Sequence, residues 1–122
     1  MVLKQWLLVF VGGGAGSWCR YAIALWLSAF RFSFPWATLL ANALSCFVLG
    51  LMLPLVSRNA LHDSYRLLVM TGFCGGFSTF STFTSESWQL FQQGRWEQGI
   101  ANVALNLTVC LICLYLGIKC TG

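Results

Sequence analysis

The chain predicts an all-α membrane protein of four transmembrane helices, with the third helix broken near the bilayer midplane. Of its 122 residues, 58% are hydrophobic and only 8% are charged, and the mean hydropathy is +0.76. An ordinary soluble domain carries about 25% charged residues, so water is not the solvent this composition matches. Joints bearing charge or proline divide the apolar sequence into stretches over 5–30, 35–56, 67–91 and 99–118. Each reaches the ~20 residues needed to cross ~30 Å of hydrocarbon. The third contains T-G-F-C-G-G-F-S-T-F-S-T-F over 71–83, a glycine pair followed by alternating hydroxyls and phenylalanines. Each glycine costs about 1 kcal/mol in a helix interior, and unwound backbone at membrane depth survives only where protein buries it or a wet cavity is lined by it.

The first span is too long for a signal peptide, carries Gly12, Gly13, Gly14 and Gly16, and shows no small-residue cleavage site, so it is expected to remain. Gly12-x-x-x-Gly16 suits close helix packing. Arg20 lies toward the loop side of this span, where it either snorkels to the interface or joins a vestibule. The second span opens at Pro35 and presents Thr38, Asn42 and Ser45 as a polar stripe. In the third, counting from Arg66 at 1.5 Å per residue puts Gly75 roughly 13 Å deep. Beyond it, Thr79, Thr82, Glu86 and Gln89 share one helix face, with Phe80 and Phe83 on the next. The fourth carries Asn102, Asn106, Cys110, Cys113 and Gly117 as a small or polar stripe. Counted from their own loops, Asn42 and Asn106 reach roughly 10 to 14 Å, the level of the break. Joints of a few residues leave one four-helix transmembrane domain over 1–122.

Charge and chemistry exclude several function classes. The net charge is +4, but the basic residues stand singly at span ends, which does not suit nucleic acid. Lys4, Arg58, Arg66 and Lys119 fall on the side of the termini, with Arg31 and Arg95 on the other. So weak a bias predicts insertion in both orientations. A lone His62 leaves no catalytic set to assemble, so an enzyme is not expected. Five of the six cysteines lie within spans and read as small core residues. Cys110-x-x-Cys113 lacks the further ligands of a zinc site. The sequon at Asn106 lies inside a span, out of a transferase's reach.

Polar groups converging at one depth point to permeation, because hydrocarbon makes each expensive unless it is used. The alternative is that such stripes only pack helices. The donors on offer are the Asn42 and Asn106 amides, the hydroxyls of Ser78, Ser81 and Thr82, and the positive ring edges of Phe80 and Phe83. That set suits a small anion. Carbonyls freed at Gly75 and Ser78 would instead suit a hard cation such as sodium, held structurally. Glu86 and Arg20 are candidates for a shared vestibule.

G-G-G-A-G-S-W-C-R-Y (12–21), T-L-L-A-N (38–42) and G-F-C-G-G-F-S-T-F-S-T-F (72–83) together resemble the CrcB-type Fluc fluoride channels over all four spans. Ala37 and Ser45 stand where that family usually has glycine. The resemblance implies passive fluoride export through an antiparallel, dual-topology homodimer in the bacterial inner membrane, with two pores and a sodium ion at the dimer centre. Carried over by position, Gly75 and Ser78 would supply sodium carbonyls. Asn42 would donate to fluoride, Phe80 and Phe83 would face it, Ser81, Thr82 and Asn106 would continue the track, and Arg20 and Glu86 would lie toward the vestibule. A small multidrug-type cation exporter shares the size and span number, but needs a carboxylate in the first span, which has none. A non-transporting membrane scaffold would share the packing seams alone.

Overall fold

A computed structural model describes residues 2–122. Four helical segments in it are long and apolar enough to cross a membrane: Val2–Ser28, Trp36–Ser57, Asp63–Gln92 and Trp96–Thr121. We label Val2–Ser28 α1 and Trp36–Ser57 α2. The third segment opens with α3 over 63–77, in which a turn at Asp63–Tyr65 leads into a π-helical run, Arg66–Cys74, and a last α turn, Gly75–Phe77. Then follow α4, Phe80–Gln92, and α5, Trp96–Thr121. The helices run a turn or so beyond some of the hydropathy boundaries, where Trp96 and Lys119 extend α5 at its two ends.

Local chemistry sets the joints. After α2, Asn59 takes a left-handed φ of 54°, while its N–H bonds the Val56 carbonyl and the Ala60 N–H reaches back to Leu55. Gly94 does the same after α4 at φ 78°, with the Arg95 N–H returning to the Leu90 carbonyl. Both are Schellman closures, which need a residue tolerant of positive φ at that point. Arg95 then ties two joints together, donating to the Ser33 carbonyl at 2.7 Å and to the side chains of Gln93 and Gln98. At the opposite end, Arg58 donates to the Thr121 carbonyl at 2.8 Å.

Two glycine seams bring backbones together. A Cβ on Gly12 would come within 3.1 Å of Gly72 Cα, and a Cβ on Gly76 would meet the Gly13 backbone, so α1 lies directly on α3. A Cβ on Gly50 would sit 3.2 Å from Gly117 Cα, which places α2 on α5. Without solvent exclusion to drive them, membrane helices associate by such close approach. The outward faces are left large and apolar: Trp6, Phe10 and Trp18 of α1 are 73–79% exposed. Lipid tails suit that surface; water does not.

Candidate functional site

Helical backbone stops at Phe77 and resumes at Phe80. Between them Ser78 (φ −81°, ψ 155°) and Thr79 (φ −150°, ψ 114°) are extended. The glycine pair itself does not unwind. Gly75 is helical at φ −63°, ψ −37°, and Gly76 is used for packing on α1. The departure from helix thus falls just past the glycines, where hydroxyl side chains can satisfy the backbone.

Asn42 of α2 organises this segment. Its Oδ1 accepts from the Thr79 N–H at 2.8 Å, and its Nδ2 donates to the Thr79 carbonyl at a long 3.4 Å. The Thr79 N–H would otherwise close a helical bond to the Gly75 carbonyl four residues back. Similarly, the Thr82 N–H is taken by Thr79 Oγ1 at 3.1 Å, away from the Ser78 carbonyl. Thr79 is thereby the N-cap of α4, and its hydroxyl also lies 3.4 Å from that of Ser81.

From Asn42 a chain of polar contacts crosses the bundle. Asn42 Nδ2 donates to Asn106 Oδ1 at 3.1 Å, Asn106 Nδ2 to Asn102 Oδ1 at 2.9 Å, and Asn102 Nδ2 to Ser87 Oγ at 2.8 Å. Ser87 finally donates to the Phe83 carbonyl at 2.8 Å. The polarity is fixed at both ends, because the Thr79 N–H can only donate and the Phe83 carbonyl can only accept. Asn102 is fully buried and Asn106 nearly so. Asn102 is recognisable in sequence as part of the polar stripe of the fourth span; Ser87 is not, since its partner lies on another helix.

A cavity of 310 Å³ opens beside the break, lined among others by Asn42, Ser78, Thr79, Phe80, Phe83 and Asn106. The Phe80 and Phe83 rings stand 5.7 Å apart, tilted by 55°. Phe83 is buried, whereas Phe80 is 76% exposed. Of the remaining sequence candidates, Ser81 is exposed and Thr82 half-buried, and neither lines this cavity. Glu86 lines a separate cavity of 210 Å³ with Pro35, Gln89, Gln93 and Arg95, and its Oε1 is buried without a hydrogen-bond partner. Arg20 does not join it there: its Nε donates to the Gly76 carbonyl at 3.2 Å, beside the break. Within one chain the two do not share a vestibule.

Ser45 has a structural use. It is 3% exposed and donates to the Cys74 carbonyl at 3.1 Å, which fastens α2 to the end of the π-helical run. Nothing in the structure explains Ala37. Among the described residues no group of three or more His, Cys, Asp or Glu side chains could hold a metal.

The family model described as CrcB-like protein, Camphor Resistance (CrcB), matches residues 7–118. Among curated proteins, the chain is 42% identical over 112 residues to a protein of Serratia proteamaculans named fluoride-specific ion channel FluC, covering 91% of this chain and 88% of that one. Proteins of the same name from Azobacteroides pseudotrichonymphae and Shewanella oneidensis are 37% identical over 118 residues and 39% over 116. Those alignments cover 95% of this chain and 94% of the first, and 94% of each chain for the second.

Proposed function

The chain belongs to the CrcB-like family, and from that premise we propose that it conducts fluoride passively and selectively across the bacterial inner membrane, lowering cytoplasmic fluoride. It is a channel and not an enzyme. The observation that carries this reading is the cavity at the break, where amides, hydroxyls and ring edges meet the N-terminal end of α4. A helix start offers unpaired N–H groups and a partial positive charge, both favourable to an anion. Fluoride entering a narrow pore must exchange its water for close donors, and charge-assisted bonds to N–H and O–H groups do this best.

Asn42 spends both amide hydrogens within the chain. Its bond to the Thr79 carbonyl is 3.4 Å long, however, at the weak edge of the range. That hydrogen is the one to be re-aimed at an anion in the cavity, while Oδ1 keeps its hold on Thr79. Phe80 and Phe83 supply ring edges; Ser81, Thr82 and Asn106 continue the track; and Glu86 and Arg20 act on either side of it.

The assembly we infer is an antiparallel dual-topology homodimer. Its support is the exposed Phe80 beside an open cavity, together with a basic-residue bias too weak to orient the chain. A structural sodium ion would be held by the Gly75 and Ser78 carbonyls. These fit a hard cation, because the N–H groups that would close on them are bonded to Asn42 and to Thr79 Oγ1. Such an ion would add a fixed positive charge near the passing anion.

Cells lacking any fluoride exporter test the function. Expression of the chain should restore growth in fluoride, and unchanged sensitivity with normal membrane expression would contradict it. In purified protein, replacing sodium by a bulky organic cation should slow fluoride efflux; equal rates would remove the sodium site and leave fluoride conduction in place.

A further inference from the structure

Two thiols stand in the cavity wall that fluoride conduction does not use. Helices α2 and α5 run in parallel register: Asn42 bonds Asn106 at 3.1 Å, and two turns further along α2 a Cβ on Gly50 would lie 3.1 Å from the Leu114 carbonyl carbon and 3.2 Å from Gly117 Cα. One turn past each amide, on the same ridge, come Cys46 and Cys110. The register therefore sets these two side chains opposite one another, between the amide pair and the glycine seam. Both are free thiols, both are half-buried, and both line the 310 Å³ cavity with Asn42, Phe80 and Phe83. Cys113 does not line this cavity, and Cys74 is buried elsewhere, with its Sγ donating to the Ser45 carbonyl at 3.6 Å.

We propose that Cys46 and Cys110 form a two-thiolate site for a soft cation that favours linear coordination, such as Ag⁺, Cu⁺ or Hg²⁺, and that an ion bound there closes the cavity to fluoride. The second half rests on the reading of this cavity as the fluoride path. Thiolates select soft ions over hard ones. With no third or fourth His, Cys, Asp or Glu ligand gathered among the described residues, tetrahedral zinc is not served, whereas a two-coordinate ion is. On binding, each thiol releases its proton to water and forms one S–metal bond. No electron is transferred, and a competing dithiol reverses the reaction. The bound ion narrows the passage at the layer next to the Asn42–Asn106 pair.

The probes are mercuric chloride and silver nitrate, applied to the full-length protein in liposomes. After a wash with excess monothiol, mass spectrometry of the intact protein should find one mercury retained per chain, because two sulfurs hold it against a competitor with one. Cys46→Ser and Cys110→Ser should each abolish retention, while Cys113→Ser and Cys120→Ser should keep it. Cys46→Ala and Cys110→Ala provide a second pair if serine disturbs folding. Silver should slow fluoride efflux by ~10-fold or more in the native chain and by less than ~2-fold in the pair variants, a difference of at least ~1 kcal/mol in barrier. Dithiothreitol should restore the flux. Retention that survives loss of Cys46 or Cys110 overturns the site. Retention that needs both, with undiminished fluoride efflux, supports the thiol site and overturns closure of the path by it.

Discussion

Asn42 belongs to the scaffold by its hydrogen bonds, and in the proposed function it serves the pore as well. Its oxygen holds the extended backbone at Thr79, and its nitrogen reaches Asn106 and the Thr79 carbonyl. Asn42→Leu strands the Thr79 N–H and the Asn106 oxygen, each at a cost of ~1–3 kcal/mol if buried. If one such penalty falls on the conduction barrier, fluoride efflux drops by roughly 5- to 150-fold. Asn42→Asp keeps an acceptor for Thr79, so it should preserve the fold while still slowing fluoride, because the donor is gone and a negative charge replaces it. Efflux rates and thermal unfolding of both variants in detergent separate the two roles; native flux in Asn42→Leu would remove Asn42 from the path. That Asn42 and Asn106 come to one level was legible from sequence, since it needs only the rise of a helix and the position of a loop. Their bond to each other was not, because it depends on how α2 and α5 rotate against one another.

At the level of elements, the four spans were readable because hydropathy and length alone define them. The place where the third departs from helix was harder. Glycine marks both flexible backbone and close packing, and sequence does not say which one applies. Here Gly76 packs, while the extended residues Ser78 and Thr79 are held by Asn42 and by the α4 cap. A methyl group separates these roles. Gly76→Ala forces a Cβ into the Gly13 backbone and should lower the unfolding temperature and the yield of monodisperse protein. Gly75→Ala meets nothing within 4 Å in its own chain and should fold normally. Equal loss in both variants would show that Gly75 is also covered, by a partner subunit. The π-helical run, Arg66–Cys74, had no sequence signal; the α1–α3 seam runs along it and the Ser45 bond meets its last residue.

For the whole molecule, the proposed second copy would cover the exposed ring of Phe80 and the open cavity, and the scattered basic residues set little bias against its inserting inverted. A tag at the C-terminus should therefore be labelled from both faces of the membrane. Two or three lysines added to one loop should lock the orientation and abolish activity until an oppositely biased copy is co-expressed. Labelling from one face only, in the unmodified chain, would contradict the antiparallel dimer. Ion selectivity tests the central claim most directly. Purified protein in liposomes loaded with fluoride or chloride, with a potassium ionophore to balance charge, should release fluoride rapidly and chloride at the rate of protein-free vesicles. Phe80→Ile, which keeps bulk but loses the ring edge, should slow the fluoride release. Chloride efflux as fast as fluoride efflux, or no fluoride efflux at all, would contradict fluoride-selective conduction and return the polar chain from Thr79 to Ser87 to helix packing.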